Sequence, residues 1–447
     1  MHADLIITHA AQLLTLAGGH GPRRGTAMTS VAIVEDGALA VREGRIAAVG
    51  PTAEVLAGVT AERVIDARGK VVLPGFVDPH THLVWAGDRA GEFEQRVAGA
   101  TYMEIMAAGG GIMSTVRATR AASLEELVTQ SRARLDRMLA HGTTTAEVKT
   151  GYGLELASEL KQLQAIRQLD ATHPVDLVPT FLGAHAVPAE YKGRADEYVD
   201  LVVNTMLPAV SDSLIANRLS QTILPGQERY AIGDMRYAIG DKPLFCDVFC
   251  EEGAFDLAQS RRVLEAAQAL GFGLKIHVDE FRALGGTRLA VQLGAVSADH
   301  LVCTPPQEIA LLAQSDTVAV ALPGTPFGLG HHEYTPARAI IAAGGALALA
   351  TDLNPGTCWC ESMQFIIALA CRTMRLTPAE AITAATRNAA CAVGLGHETG
   401  SLEAGKWADV IVLEVDDYRH LGYRFGSNLV QTVIKRGQVV SERETTA

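Results

Sequence analysis

The stretch Gly75-Phe-Val-Asp-Pro-His80-Thr-His82 follows directly on a short apolar run, Val71-Val-Leu73, and sets two histidines one residue apart. Along an extended chain alternate side chains share a face, so His80 and His82 project together where a strand ends. Two imidazoles on one face begin a metal site that keeps coordination positions open for water. Three further segments repeat the layout of a strand followed by an ionisable residue: Leu274-Lys-Ile-His277, Ser297-Ala-Asp-His300 and Leu347-Ala-Leu-Ala-Thr-Asp352. Strand ends that converge on one site are the plan of a parallel barrel.

Working outward, the middle of the chain alternates strands with helices, as parallel βα units do. Thr143 to Val148, Asp176 to Leu182, Leu244 to Phe249 and Leu274 to His277 read as strands. So do Gly294 to Asp299, Thr317 to Leu322 and Ala346 to Ala350. The strand before His80 makes eight, the number a closed barrel needs. Ser123-Leu-Glu-Glu126 is a capping box that starts a helix, and Gly142 ends it. Thr377-Pro-Ala-Glu380 starts another, with proline in its first turn.

Both termini are different in character. Short strands are expected at Asp4 to Thr8, Val31 to Val34, Ala38 to Val41, Arg45 to Val49 and Arg63 to Asp66. They recur at Ala408 to Leu413 and from Val430 onward. The expected fold class is therefore α/β, a (β/α)8 TIM-like barrel with a small β-sandwich domain built from both termini. Residues 1–75 and 397–447 would form that composite domain, and 76–396 the barrel. An extra surface stretch is expected at about 210–242, where Arg229-Tyr-Ala-Ile-Gly-Asp-Met is followed by a second copy, Arg236-Tyr-Ala-Ile-Gly-Asp-Lys. Two copies of seven residues are too few for a repeat fold.

The 447 residues are 20% charged and 48% apolar, a globular balance, and the net charge of -12 speaks against nucleic acid or an anionic membrane as a partner. No apolar run approaches the roughly 20 residues of a membrane span, and the first residues do not resemble a signal peptide. Seven scattered cysteines, including Cys358-Trp-Cys360, suit reduced thiols and a cytoplasmic location better than a disulfide framework or a zinc finger.

His80, His82, His277 and Asp352 would give three nitrogens and one oxygen, a donor set suited to Zn²⁺ or Fe²⁺/Fe³⁺. His300, Glu280 and Asp352 are the acid/base candidates, because a metal lowers the pKa of its water and a nearby carboxylate can take that proton and return it to a leaving nitrogen. Glu280 could equally be a carboxylate at a helix start. Arg89, just past the first strand, suits a substrate carboxylate. Tyr152 and His185 follow the second and third strands and would overhang the same mouth. Ala108-Gly-Gly-Gly-Ile-Met-Ser114-Thr lacks the ending of a phosphate cradle and reads as a flexible loop.

Taken together these segments resemble the amidohydrolase superfamily over nearly the whole chain. The most specific are Phe76 to Val84, Gly99 to Ile112, Gly142 to Gly153, Lys275 to Phe281, Ser297 to Leu301 and Thr351 to Thr357. Within that superfamily the resemblance implies hydrolysis of the cyclic amide of 4-imidazolone-5-propanoate to N-formimidoyl-L-glutamate in histidine degradation, in the cytoplasm. It implies metal ligands at His80, His82, His277 and Asp352. Substrate contacts would be Arg89, Tyr152, His185, Glu280, Asn354, Gly356 and Thr357, with His300 near the reacting oxygen, in a homodimer. Two-metal relatives carry a carboxylated lysine on the fourth strand. The strand expected there has none, which favours one metal. Another cyclic amidohydrolase, or a base deaminase with the same metal core, remains an open reading at this point. A barrel that had become a dead scaffold would be expected to lose ligands, and all four are present.

Overall fold

The computed structural model describes residues 1–19, 21–100, 104, 109–220, 238–239 and 242–443. Eight parallel strands follow one another round a ring in chain order: Phe76–Asp78, Thr143–Lys149, Asp176–Ala184, Phe245–Cys250, Gly273–Val278, Ser297–His300, Val318–Ala321 and Leu347–Leu349. Seven of them match strands expected from the sequence to within a few residues; the first does not. The first and last meet just past their regular ends. There Thr81 bridges Leu353 in parallel, His82 N–H donates to the Leu353 carbonyl (2.9 Å), and Asp352 N–H donates to the His80 carbonyl (3.1 Å). The Asp78 carboxylate accepts from Thr351 N–H (3.0 Å) and from its hydroxyl (2.5 Å), clamping the same seam.

The helices between the strands begin where their caps dictate. Ser123 Oγ accepts from Glu126 N–H while Glu126 accepts from Ser123 N–H, and the helix Leu124–Ala140 follows. Thr377 and Glu380 do the same for Pro378–Ala385. The glycine-rich segment expected as a loop in fact turns into a helix, Ile112–Ala121, at Gly111.

Strands from both termini form a second sheet. His2–Leu14 pairs antiparallel with Ile33–Arg42 on one side. On its other side it pairs in parallel, first with Thr60–Asp66 and then with Val71–Pro74. Val71–Pro74 in turn pairs with Val410–Leu413, which leads to Val430–Lys435 and Gln438–Glu442. The far strand, Arg45–Pro51, is hydrogen-bonded to the segment before Val410, through Ile46 N–H to Lys406 and Ala408 N–H to Gly44. The sheet thus folds back round one apolar core that includes Leu5, Ile7, Leu39, Val41, Val410, Val412 and Ile434.

Two expectations change here. The run Val71-Val-Leu73 belongs to the terminal sheet, where it is flanked on both sides and buried on both faces. The barrel's own first strand is only Phe76–Asp78. Gly75 alone separates them, and a Cβ there would lie 2.3 Å from Thr144 Oγ1, so no larger residue passes between the two sheets without displacement. The separate strands expected at 31–34 and 38–41 are one strand. The apparent turn at Asp36-Gly37 sits beside a bulge in the neighbouring strand, and His9 Nδ1 and Asp36 Oδ1 meet at 2.9 Å. Of the stretch at about 210–242, the first residues continue the helix Leu207–Ser220, with Val210 and Ser211 buried. Most of the duplicated heptads lies outside the described residues.

Candidate active site

Four side chains meet where the seam closes. Nitrogen atoms of His80, His82 and His277 lie within 4.8 Å of one another. His277 Nε2 is 3.5 Å from His82 Nε2, and Asp352 Oδ1 is 3.6 Å from Nε2 of both His80 and His82. His80 Nε2 is buried and has no hydrogen-bond partner among the described residues, which suits it to a metal ion. Three imidazole nitrogens and a carboxylate oxygen fit Zn²⁺ or Fe²⁺ by donor chemistry. Burial, with the Lys149 ammonium and His277 close by, holds His80 far below the usual imidazole range. Burial and His185 do the same to His82. Both rings are therefore neutral, the form that binds a cation.

The acid/base candidates ring this point. His300 sits 5.2 Å from His277, ring to ring, and its Nε2 is 3.7 Å from Glu280 Oε2. Burial and the nearby negative Asp352 and Glu251 push the Glu280 carboxyl well above the usual range. Burial lifts Asp352 to about 6, against a hydrogen bond from Thr325. Asp352 (φ 55°), His300 (φ 76°) and Asp279 (φ 54°) all adopt the left-handed backbone conformation without being glycine. That costs roughly 1–2 kcal/mol per residue, and such strain gathers where side chains must be aimed.

The remaining candidates form one wall. His185 stacks on His82 (4.8 Å, 13° between planes), and Tyr152 lies 5.4 Å from His185. The His185 Nδ1–H donates to the Gly151 carbonyl (3.0 Å), which leaves Nε2 as an acceptor; burial draws its pKa down to about 3. Arg89 donates through Nε to Glu92 (2.8 Å), the only hydrogen bond of its side chain among the described residues. Its Nη1 rests against Gly356, where a Cβ would come within 2.2 Å. Asn354 is committed to its own loop. Its Oδ1 accepts from Gly356 and Thr357 N–H (2.8 Å each), and its Nδ2 donates to the Asp352 carbonyl (2.7 Å). Every described residue expected at the site is thus brought to the same end of the barrel.

Comparison with known proteins agrees with this geometry. The Amidohydrolase family matches residues 63–108 and 89–441, and an imidazolonepropionase-like composite domain of bacteria matches 37–57. The chain is 55% identical to the imidazolonepropionase of Herpetosiphon aurantiacus over 99% of its own length and 98% of that protein's. It is 52% identical to the one from Symbiobacterium thermophilum over 98% and 97%. The chain belongs to the amidohydrolase family, among the imidazolonepropionases. Its fold also matches an adenosine deaminase from Xanthomonas campestris solved with bound zinc, at a TM-score of 0.67, with 20% identity over 98% of this chain and 93% of that one.

Several residues that build this amidohydrolase site escape a reading of the sequence. Asp299 Oδ2 meets His80 Nδ1 at 2.6 Å, and Asp247 Oδ2 meets His277 Nδ1 at 2.9 Å. Glu147, Lys149 and Lys275 lie buried beneath them. For the strand residues the signal was present as ionisable side chains two apart within otherwise uncharged strands, Glu147-Val-Lys149 and Lys275-Ile-His277. The cluster of His80, Glu147 and Asp299 is tight enough to suggest a second ion, but Lys149 and Lys275 already supply its positive charge.

Glu159 was also missed. Fully buried, its carboxylate accepts backbone N–H groups from Gly151 (3.1 Å), Gly153 (2.9 Å) and Leu154 (2.8 Å), and so shapes the loop that carries Tyr152. Glu159→Ala would strand three buried donors. At about 1–3 kcal/mol for each unsatisfied group, denaturant unfolding should show a loss of at least ~3 kcal/mol.

Proposed function

We propose that this hydrolase opens the ring of 4-imidazolone-5-propanoate to give N-formimidoyl-L-glutamate in histidine degradation, using one divalent ion, Zn²⁺ or iron, held by His80, His82, His277 and Asp352. The observation that carries the reading is the four-donor cluster with Arg89 at its mouth, in a chain 55% identical to a protein called imidazolonepropionase. All seven cysteines are free, and we place the enzyme in a reducing cytoplasm on that ground. Among the described residues no helix is long and apolar enough to cross a membrane.

Bound among these donors, the ion would supply a Lewis acid and water of lowered pKa. The chain's own residues do the rest. Arg89 has its terminal nitrogens available for the propionate. His185 Nε2 accepts from a ring N–H, with Tyr152 beside it, while Gly356 keeps the space that Arg89 occupies. Water adds its oxygen to the ring carbonyl carbon as the carbon–nitrogen bond breaks. Asp352 carries the proton from that water to the departing nitrogen. Glu280 holds the ring nitrogens and shares the transfer, since a carboxyl raised this far takes up a proton readily. His300 donates a hydrogen bond to the carbonyl oxygen as negative charge grows there.

A base deaminase built on the same core is the second reading, because the fold is shared with an adenosine deaminase. Ring opening releases no ammonia, so ammonia formed during turnover would select the deaminase. Arg89→Met should chiefly raise KM for the acid, by about 2–5 kcal/mol in binding for a charged pair left single. An analogue without the carboxylate should be handled equally by both enzymes; unchanged affinity for the acid would remove Arg89 from the site. His300→Asn should cut turnover by about 10²–10³ with the metal retained, the usual cost of one oxyanion donor. More than a tenth of the rate surviving, or loss of metal along with activity, would contradict that role.

A further inference from the structure

The interior of a parallel barrel is filled in layers by side chains from alternate strands, mostly branched and aliphatic. Beneath the histidine cluster of this barrel the filling is ionic instead. Glu147 and Lys149 come from the second strand, Asp247 from the fourth, Lys275 from the fifth and Asp299 from the sixth, and all are shut off from solvent. Lys149 Nζ donates to Glu147 Oε1 and Asp247 Oδ2, both at 2.7 Å, and lies 3.5 Å from Asp299 Oδ2. Lys275 Nζ lies 3.2 Å from Glu147 Oε2 and donates to the carbonyl of Pro79 (3.1 Å), the residue before His80. Three carboxyl groups and two amines thus pack against one another below the histidines.

Such a layer is a poor source of stability. Desolvating the ions consumes most of what their pairing returns, and an aliphatic layer of equal volume is often neutral or about 1–4 kcal/mol better. What it achieves, and an aliphatic layer could not, is control of two imidazoles. Asp299 hydrogen-bonds Nδ1 of His80, and Asp247 holds His277 through its backbone N–H (3.1 Å) with Oδ2 close against Nδ1 (2.9 Å), so both carboxylates stand behind rings whose Nε2 turns to the cluster. The single ammonium of Lys149 touches one of these carboxylates and stands beside the other. Among the described residues no carboxylate stands against Nδ1 of His82, whose ring is backed by His185 instead.

We propose that Lys149 is a positioning residue for the metal centre, acting through Asp247 and Asp299 to hold Nε2 of His277 and His80 on one point. The inference rests on the four-ligand reading above and is independent of which ring is hydrolysed.

The test loads the full chain with Zn²⁺ and challenges the holoprotein with graded concentrations of a competing chelator, reading the Zn²⁺ dissociation constant. Lys149→Met keeps the stem and removes the charge. It should weaken Zn²⁺ retention by about 10–100-fold, the usual cost of losing an outer-shell partner, while circular dichroism shows a folded protein. The same change made on an Asp247→Asn, Asp299→Asn background should alter the constant by less than about threefold, because the route through the carboxylates is already cut. A folded Lys149→Met protein within threefold of the parent, or an undiminished effect on the double-Asn background, overturns the inference. Should Lys149→Met fail to fold, the nearly isosteric Asp299→Asn decides alone: a tenfold or greater loss supports the inference, and unchanged retention overturns it. If the parent chain retains no Zn²⁺ or iron, the four-ligand reading itself fails and this inference falls with it. That outcome is distinct from a parent that binds and a variant that binds as well.

Discussion

The barrel closes where its first and eighth strands have stopped being regular strands, and everything at the candidate site depends on that seam. Thr81 and Leu353 bridge it, and Asp78 clamps it through Thr351. The backbone atoms that complete the ring belong to His80, His82 and Asp352, the same residues whose side chains supply three of the four converging donors. Closing the fold and assembling the site are one event. A slip of one residue at the seam would send the alternate side chains to the wrong face.

Holding that geometry carries costs that the fold meets elsewhere. His300 and Asp352 occupy a backbone conformation that β-carbon sterics disfavour, and five charged groups are buried below them. Neither feature helps the barrel fold. The extensive apolar core around the barrel, from Phe76 and Trp85 to Ile366 and Leu413, supplies the surplus that tolerates them. The loops are built on the same principle. Glu159 ties down the Tyr152 loop from beneath, and Asn354 ties the segment 354–357 to itself, so that this side of the candidate site is set in advance.

Much of this was legible in the sequence because the relevant signals are local. Period-two histidines, apolar runs that end in an ionisable residue, and two capping boxes marked seven of the eight strands, their order and the converging side chains. What was not legible required knowing which sheet a strand joins. The run Val71-Val-Leu73 is apolar whether it lines a barrel or the middle of the terminal sheet, and only the pairing with Val410–Leu413 assigns it. The buried network was hidden for a related reason. Asp247, Asp299 and Lys149 are far apart in the chain, and a charged residue within a strand more often faces solvent than another charge. That the Asn354 side chain also orders its own loop was equally beyond a reading of the sequence.

The measurement that bears most directly on this account is turnover of 4-imidazolone-5-propanoate as a function of metal content. Purified chain would be stripped and reloaded stepwise with Zn²⁺ or Fe²⁺, with bound metal quantified by mass spectrometry. The account predicts turnover that rises in proportion to bound metal and saturates at one ion per chain, with N-formimidoyl-L-glutamate as the product. Full activity in the metal-free chain, or saturation only at two ions per chain, would contradict it.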